Sequence, residues 1–229
     1  MLGLAFSGGK DSLACWYLCK HLNPVVLWAN TGKGYPETLE IVNEIRSQAF
    51  QFVEIKTDQQ KQNDEWGLPS DIVPINFTNL GMTFSGTKQT KVQSYLGCCF
   101  ENIINPMMQK CKEIGITELI RGQRLSESHK STAVDGTVVD GIKFLQPIET
   151  WSKQQVFDYL LKQRGSLPEH YSIDHSSLDC YDCTAFLEHS ADRIEWTKHR
   201  HPDLYEIYSK RMDALKMTLK PSLKAMGMT

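Results

Sequence analysis

Short apolar runs separated by polar, helix-length stretches set the rhythm of the first 165 residues. Residues 2–6 (LGLAF) suit a buried strand, and residues 12–22 (SLACWYLCKHL) follow with apolar groups at helical spacing. Residues 24–29 predict a second strand, and Pro36 opens a helix over 36–49 in proline's favoured first-turn position. A third strand falls at 52–55. A helix over 99–114 kinks or restarts at Pro106. Residues 117–121 and 143–147 predict the fourth and fifth strands, and Ser152 can cap a helix running to about 164. Strands alternating with helices predict an α/β domain, a parallel five-stranded sheet with helices on both faces. This domain spans 1–165. Residues 166–229 predict a cysteine-bearing loop and a helical C-terminal extension packed on it. The polar stretch 57–91, with Gly67, Pro69, Pro74 and Gly81, predicts a long irregular excursion and a candidate substrate lid.

Charge narrows the function classes. A net charge of −2 gives no overall basic field for nucleic acid or membrane surfaces. No apolar stretch nears the roughly 20 residues that span a bilayer, and the first residues lack the basic start of a signal peptide. The expectation is a soluble cytoplasmic protein with no membrane partner. Near the end, residues 190–217 carry Arg193, Lys198, His199, Arg200, His201, Lys210 and Arg211. Glu195, Asp203 and Glu206 interrupt them, so a solvated amphipathic helix pair is favoured over a nucleic-acid contact.

The corner between the first strand and its helix reads FSGGKDS. Backbone N–H groups and the positive helix end point at whatever sits above such a turn. Gly8 and Gly9 permit close backbone approach. Ser7 and Ser12 add hydroxyls, Lys10 adds a cation, and Asp11 can cap the helix or help hold a magnesium ion. The set suits a phosphate chain. It is not a Walker loop, because Leu4 stands where the earlier glycine is required.

SGGKDS directly after the first strand resembles the PP-loop of the ATP pyrophosphatase and phosphoadenosine phosphosulfate (PAPS) reductase superfamily, whose fold is adenine nucleotide alpha-hydrolase-like. Residues 30–38 (NTGKGYPET) resemble the family's Asp-Thr-Gly…Pro-Glu-Thr segment, with Asn30 in place of the acid. Gly122-Gln123-Arg124 and the polar run to Ser131 fall where PAPS reductases carry an Arg-rich loop. Gln146-Pro147-Ile148 with Trp151 looks like the family's Pro-Leu…Trp segment. The resemblance covers about residues 2–185. It implies that ATP, or the sulfonucleotides APS or PAPS, binds with Mg2+ at Ser7, Gly8, Gly9, Lys10, Asp11, Ser12, Asn30, Thr31, Gly32 and Gly122. Lys10, Asp11 and Arg124 become the catalytic candidates. Arg124, with Lys130 behind it, would face the acceptor or the sulfonate.

Seven cysteines, an odd number in such a chain, argue against a disulfide framework and leave metal, catalysis or burial. Cys15 and Cys19 lie four apart on an amphipathic helix and read as small buried hydrophobes, as does Cys111. Cys98-Cys99 and the pair Cys180, Cys183 supply four thiolates, enough for a four-coordinate site. Vicinal cysteines suit tetrahedral zinc poorly. They are similar to the APS reductase branch, which implies a [4Fe–4S] cluster on Cys98, Cys99, Cys180 and Cys183, close to the nucleotide's phosphates. Asp179 replaces that branch's glycine.

Two departures shape the reaction expected. Reductases of this family use a cysteine in a C-terminal tail, and this chain has none after Cys183. It also keeps the full SGGKDS of enzymes that cleave ATP to AMP and pyrophosphate. The first reading is therefore ATP-dependent adenylation with sulfur transfer, similar to tRNA thiolation and DNA phosphorothioation enzymes and served by a sulfur or electron donor protein. The alternatives are an APS/PAPS reductase and a non-catalytic nucleotide-binding redox subunit.

Overall fold

The computed structural model describes residues 1–86, 90–126, 133–173, 178 and 180–228. In chain order the first elements are β1 (Leu2–Ala5), α1 (Lys10–Cys19), β2 (Val25–Asn30), α2 (Pro36–Gln48) and β3 (Gln51–Lys56). Then come α3 (Gln59–Trp66), β4 (Leu68–Ser70), α4 (Asn79–Ser85), β5 (Val92–Ser94) and α5 (Tyr95–Cys99). A π-helical turn, Phe100–Ile104, precedes α6 (Asn105–Glu113). β6 (Glu118–Ile120), β7 (Val138–Val139), β8 (Ile142–Leu145) and α7 (Lys153–Arg164) follow, then α8 (Ala191–Arg200) and α9 (Pro202–Ala225).

The chain divides into two compact units. One comprises residues 1–30, 34–56 and 105–178, and the other 31–33, 57–104 and 179–229. The first holds a sheet of order β3-β2-β1-β6-β8-β7, parallel throughout except for β7 against β8. Alternation along β2 explains why helices cover both faces. Val26 and Trp28 join Leu13, Trp16, Ile41, Ile45, Val156 and Leu160 on one side. Val25 and Leu27 join Met107, Cys111, Leu119 and Phe144 on the other. Ser152 closes a reciprocal box with Gln155 at the start of α7, worth about 1 kcal/mol.

The sheet has six strands, not the five expected. The added strand β7 forms a hairpin with β8 through Asp140 and Gly141, whose φ values are 53° and 80°. Asp-Gly between apolar runs is a strong signal for such a turn. It goes unread because β7 has only two residues.

The second unit corrects the reading of 57–91 as irregular. Its strands β4 and β5 pair in parallel. Asp58 accepts from the Lys61 N–H at 2.9 Å to cap α3, and Thr78 caps α4. A Cβ on Gly67, at φ 105°, would stand 2.3 Å from the Lys91 carbonyl carbon, so glycine lets the two strands meet. α3 escapes an apolar-period reading because the residues it buries are Gln59 and Asn63. A small apolar cluster of Val92, Leu215 and Leu219 packs with Leu68, Val73 and Phe77. Among the described residues no helix is long and apolar enough to cross a membrane.

Candidate functional site

In the first unit, residues 7–12 turn from β1 into α1 with Gly9, not Asp11, at the helix cap. Gly8 has φ 84°, and a Cβ there would lie 2.8 Å from the Thr38 methyl on α2. The Pro-Glu-Thr segment therefore seats the loop from one side. Gly122 seats it from another, since its Cβ would stand 2.6 Å from the Asp11 carbonyl carbon and 2.7 Å from the Ser12 nitrogen. Ser12 Oγ donates to the Gly9 carbonyl at 2.9 Å and accepts from the Ser7 N–H at 3.2 Å. The loop is thus shaped before any ligand arrives.

Three buried charges line this corner. Asp11 accepts from Lys10 Nζ at 2.9 Å through Oδ2 and from Arg124 Nε at 2.7 Å through Oδ1. Lys10 and Arg124 are 4% and 5% exposed, so neither is a solvated surface charge. Two cations and one carboxylate leave a net charge of +1 beside the N-terminal N–H groups of α1, a combination that attracts polyanions. Arg124 Nη1 also donates to Ser126 Oγ at 2.9 Å. Lys130, Ser131 and Asp179 lie outside the described residues.

Asn30, at the end of β2, donates from Nδ2 to Glu54 Oε1 at 2.8 Å. That bond is the largest influence holding the Glu54 carboxyl below its ordinary range, with Arg46 adding to it. The chain thus carries an acid one strand away from the position where the motif has one.

In the second unit, Cys98, Cys99, Cys180 and Cys183 line one cavity of about 100 Å3 together with Thr31, Gln59, Tyr95, Asn102 and Phe186. None of the four is in a disulfide. Thr31 Oγ1 lies 3.6 Å from Cys180 Sγ, and Gln59 Nε2 donates to Cys98 Sγ at 3.5 Å. Burial pushes the Cys98 thiol up, with bonds from Gln59 and Asn102 opposing it. No three His, Cys, Asp or Glu side chains among the described residues gather as a ligand set for a single ion. The thiols ring a space instead. Gly32 has φ 76°, with open space where a Cβ would stand.

The loop bearing Cys180 and Cys183 is braced by ion pairs and hydrogen bonds within this unit. Asp182 is 1% exposed and pairs with Lys33 Nζ at 3.3 Å and with Arg211. Arg193 donates to the carbonyls of Cys180 and Cys183 at 3.3 and 3.4 Å. The Tyr181 N–H donates to the Lys33 carbonyl at 3.0 Å. Arg193 and Arg211 thus leave the solvated pair to which the sequence assigned them, whereas Lys198, His199 and Arg200 are exposed. The one hint in the sequence was an acid placed between two cysteines. Cys15 and Cys111 are buried in the two cores of the first unit. Burial raises both thiols, Cys111 to about 11.

None of the curated proteins matches the chain in sequence. Among solved structures, PAPS reductase from Candida auris, determined as a phosphate complex, superposes with a TM-score of 0.52 at 16% identity. The match covers 79% of this chain and 82% of that one, and its likeness is one of fold. A predicted subunit of tRNA methyltransferase from Methanocaldococcus jannaschii gives a TM-score of 0.36 at 15% identity, covering 73% and 89%, too low to carry an argument. The model of the phosphoadenosine phosphosulfate reductase domain matches residues 2–186, which include the loop, Arg124 and all four cavity cysteines. With four-fifths of its length matched, the chain belongs to the phosphoadenosine phosphosulfate reductase domain family, whose members act on adenine nucleotides.

Proposed function

We propose that the protein binds ATP at residues 7–12 and a [4Fe–4S] cluster at Cys98, Cys99, Cys180 and Cys183, and adenylates an acceptor for sulfur transfer. One observation carries the reading furthest: thiols from segments 80 residues apart line a single cavity. The donor set fits the group, because four thiolates are what a cubane cluster takes, and it spaces its ligands around a core rather than on one ion. When bound, the cluster supplies one-electron chemistry at soft sulfur ligands.

The residues of the loop do the rest. Ser7, Gly8, Gly9 and Ser12 hold the pyrophosphate portion, and Gly122 keeps the first turn of α1 in place. The acceptor oxygen bonds to the α-phosphorus as the bond to the β-phosphate oxygen breaks. Lys10 and Arg124 then offset the charge on departing pyrophosphate. A sulfur nucleophile from a donor protein next displaces AMP. Asp11 accepts from Lys10 through one carboxylate oxygen and from Arg124 through the other. Its role is to hold Lys10 and Arg124 in place.

A second reading, APS or PAPS reduction, is favoured by the family match itself. Product analysis separates the two. Anaerobic protein given ATP and acceptor yields AMP and pyrophosphate under the first reading, and sulfite from a sulfonucleotide under the second. Neither product would leave a non-catalytic nucleotide-binding subunit. Calorimetry tests the loop directly: Lys10→Ala should weaken ATP by about tenfold or more and AMP far less. Equal losses would overturn the phosphate role of Lys10. Cys180→Ser should lower iron content, whereas Cys111→Ser should keep it. Full iron in the first, or one zinc per colourless wild-type chain, would overturn the cluster.

A further inference from the structure

Three carboxamides surround the Cys98 sulfur. Gln59 Nε2 donates to its sulfur at 3.5 Å. Asn102 Nδ2 stands 3.8 Å from the same sulfur and donates to the Cys98 carbonyl at 2.9 Å. Asn63 Oδ1 accepts from the S–H at 3.5 Å. Gln59 and Asn63 are 4% and 5% exposed, and Asn102 is 3% exposed. Burying three amides on the polar side of a short helix carries a desolvation cost that an apolar filling would avoid.

Further bonds orient Asn63 and Asn102, and Asn102 Nδ2 also lies 3.4 Å from Gln62 Oε1. The Gln59 oxygen has no partner among the described residues, and the Gln59 N–H to the Cys98 sulfur is the bond this side chain makes. Gln93 Nε2 donates to the Gly67 carbonyl at 2.6 Å and to Asn63 Oδ1 at 3.1 Å, so Asn63 must present its oxygen on that side. When Cys98 becomes a ligand its S–H is gone, and Asn63 Oδ1 keeps the bond from Gln93. Gln59 then faces a thiolate with an N–H, the one polarity that an acceptor-only sulfur accepts.

We propose that Gln59, with Asn102 behind it, is a positioning residue that raises the reduction potential of the cluster through the Cys98 sulfur. The inference rests on the cluster reading above. One-electron reduction places extra negative charge on the cluster and its ligand sulfurs, without breaking a bond. An N–H aimed at such a sulfur stabilises the reduced state more than the oxidised one, as hydrogen bonds to cluster sulfurs do generally. Cys98 and Gln59 are only 3% and 4% exposed, which keeps water from taking the place of a missing donor between them.

The test compares the full chain with its Gln59→Met and Gln59→Glu variants, each prepared anaerobically and loaded with iron and sulfide. Dithionite titrations give the midpoint potential, and resonance Raman gives the Fe–S(Cys) frequencies. Gln59→Met keeps the side-chain volume and should retain about four irons per chain. At fixed ambient potential its ratio of reduced to oxidised cluster should fall about tenfold, a downward shift of about 59 mV for one electron. Its Fe–S(Cys) bands should rise in frequency, because a sulfur freed of its donor binds iron more strongly. Gln59→Glu should make the potential depend on pH, since only the protonated carboxyl can donate. An unchanged potential in Gln59→Met with iron intact would overturn the proposal and leave the cluster reading standing. If Gln59→Met loses its iron, a pH-independent potential in Gln59→Glu overturns it equally. A wild-type chain without a four-iron spectrum would remove the cluster reading, and this inference with it.

Discussion

Asp182 offers the sharpest test of how the cysteine loop is held. Its carboxylate is 1% exposed, and Oδ2 receives both Lys33 and Arg211, whose side chains are 16% and 12% exposed. Asp182→Asn keeps the shape, removes the charge and leaves two cations facing each other. Breaking a buried pair from one side costs about 3–5 kcal/mol. Because Lys33 and Arg211 each retain some access to water, the lower end, about 3 kcal/mol, is expected. Urea denaturation of the variant and wild type measures the loss, and hydrogen exchange over 180–184 locates it. A double variant, Asp182→Asn with Arg211→Gln, should recover part of the loss by removing one stranded cation. A loss below about 1 kcal/mol would place the pair with ordinary surface ion pairs and refute the argument.

Two further outcomes follow from the first unit. Gly122→Ala puts a Cβ 2.6 Å from the Asp11 carbonyl carbon, so thermal denaturation should show a loss of about 1–3 kcal/mol, and calorimetry should show weaker ATP binding. Glu44 is held below its ordinary value of 4.5 chiefly by the two-pronged Arg164 contact, at 2.7 Å on each oxygen. Its folded state therefore binds fewer protons than the unfolded chain. Its contribution is complete above the ordinary value and is lost as pH falls through the lowered one. The pair is partly exposed, its side chains at 18% and 35%, which limits that contribution to less than about 1 kcal/mol. Glu44→Gln should flatten the acid limb of a stability-versus-pH curve by that amount, and an unchanged limb would refute it.

What the sequence made legible was whatever rests on apolar period or on backbone demands. The runs at β1 and β2 could be read because buried parallel strands are near-continuous apolar blocks, and the edge strand β3 still carries Phe52, Val53 and Ile55. Gly8, Pro36 and Ser152 were readable because their roles depend on the residue type alone. The second unit was harder. α3 buries amides, β4 and β5 have three residues each, and the meeting of Gly67 with Lys91 joins positions 24 apart. Arg193 and Arg211 looked solvated because a helical pattern shows the spacing of charges but not the distant carbonyl or carboxylate that receives them. Asn30 could be placed by its motif position, but its bond to Glu54 on the neighbouring strand could not be read from the sequence.

The two units differ in what holds them together, and that difference yields a last prediction. The sheet of the first unit is packed on both faces by broad aliphatic layers. Among the described residues the second unit has a small cluster around Val92, Leu215 and Leu219, with Trp196 and Tyr208 also buried, and buried polar ties besides. Thr184 Oγ1 donates to the Pro69 carbonyl at 2.6 Å, and the N–H groups of Phe186 and Leu187 each reach Asp71 at 3.1 Å. These bonds join the segment after Cys183 to β4, and so bring the two pairs of cysteines to one cavity. Each net hydrogen bond adds only about 1 kcal/mol, so these ties alone hold the two segments together weakly. A group that bonds all four thiolates closes the loop between them, and its binding energy becomes folding energy for this unit. Hydrogen exchange on metal-free and iron-loaded protein should therefore diverge by unit. Amides of β4, β5, α5 and residues 180–200 should lose protection by about a hundredfold or more without iron, while β1, β2 and β6 stay as protected as before. Uniform loss across both units, or none in either, would show that the cavity ligand does not stabilise the fold where the cysteines are.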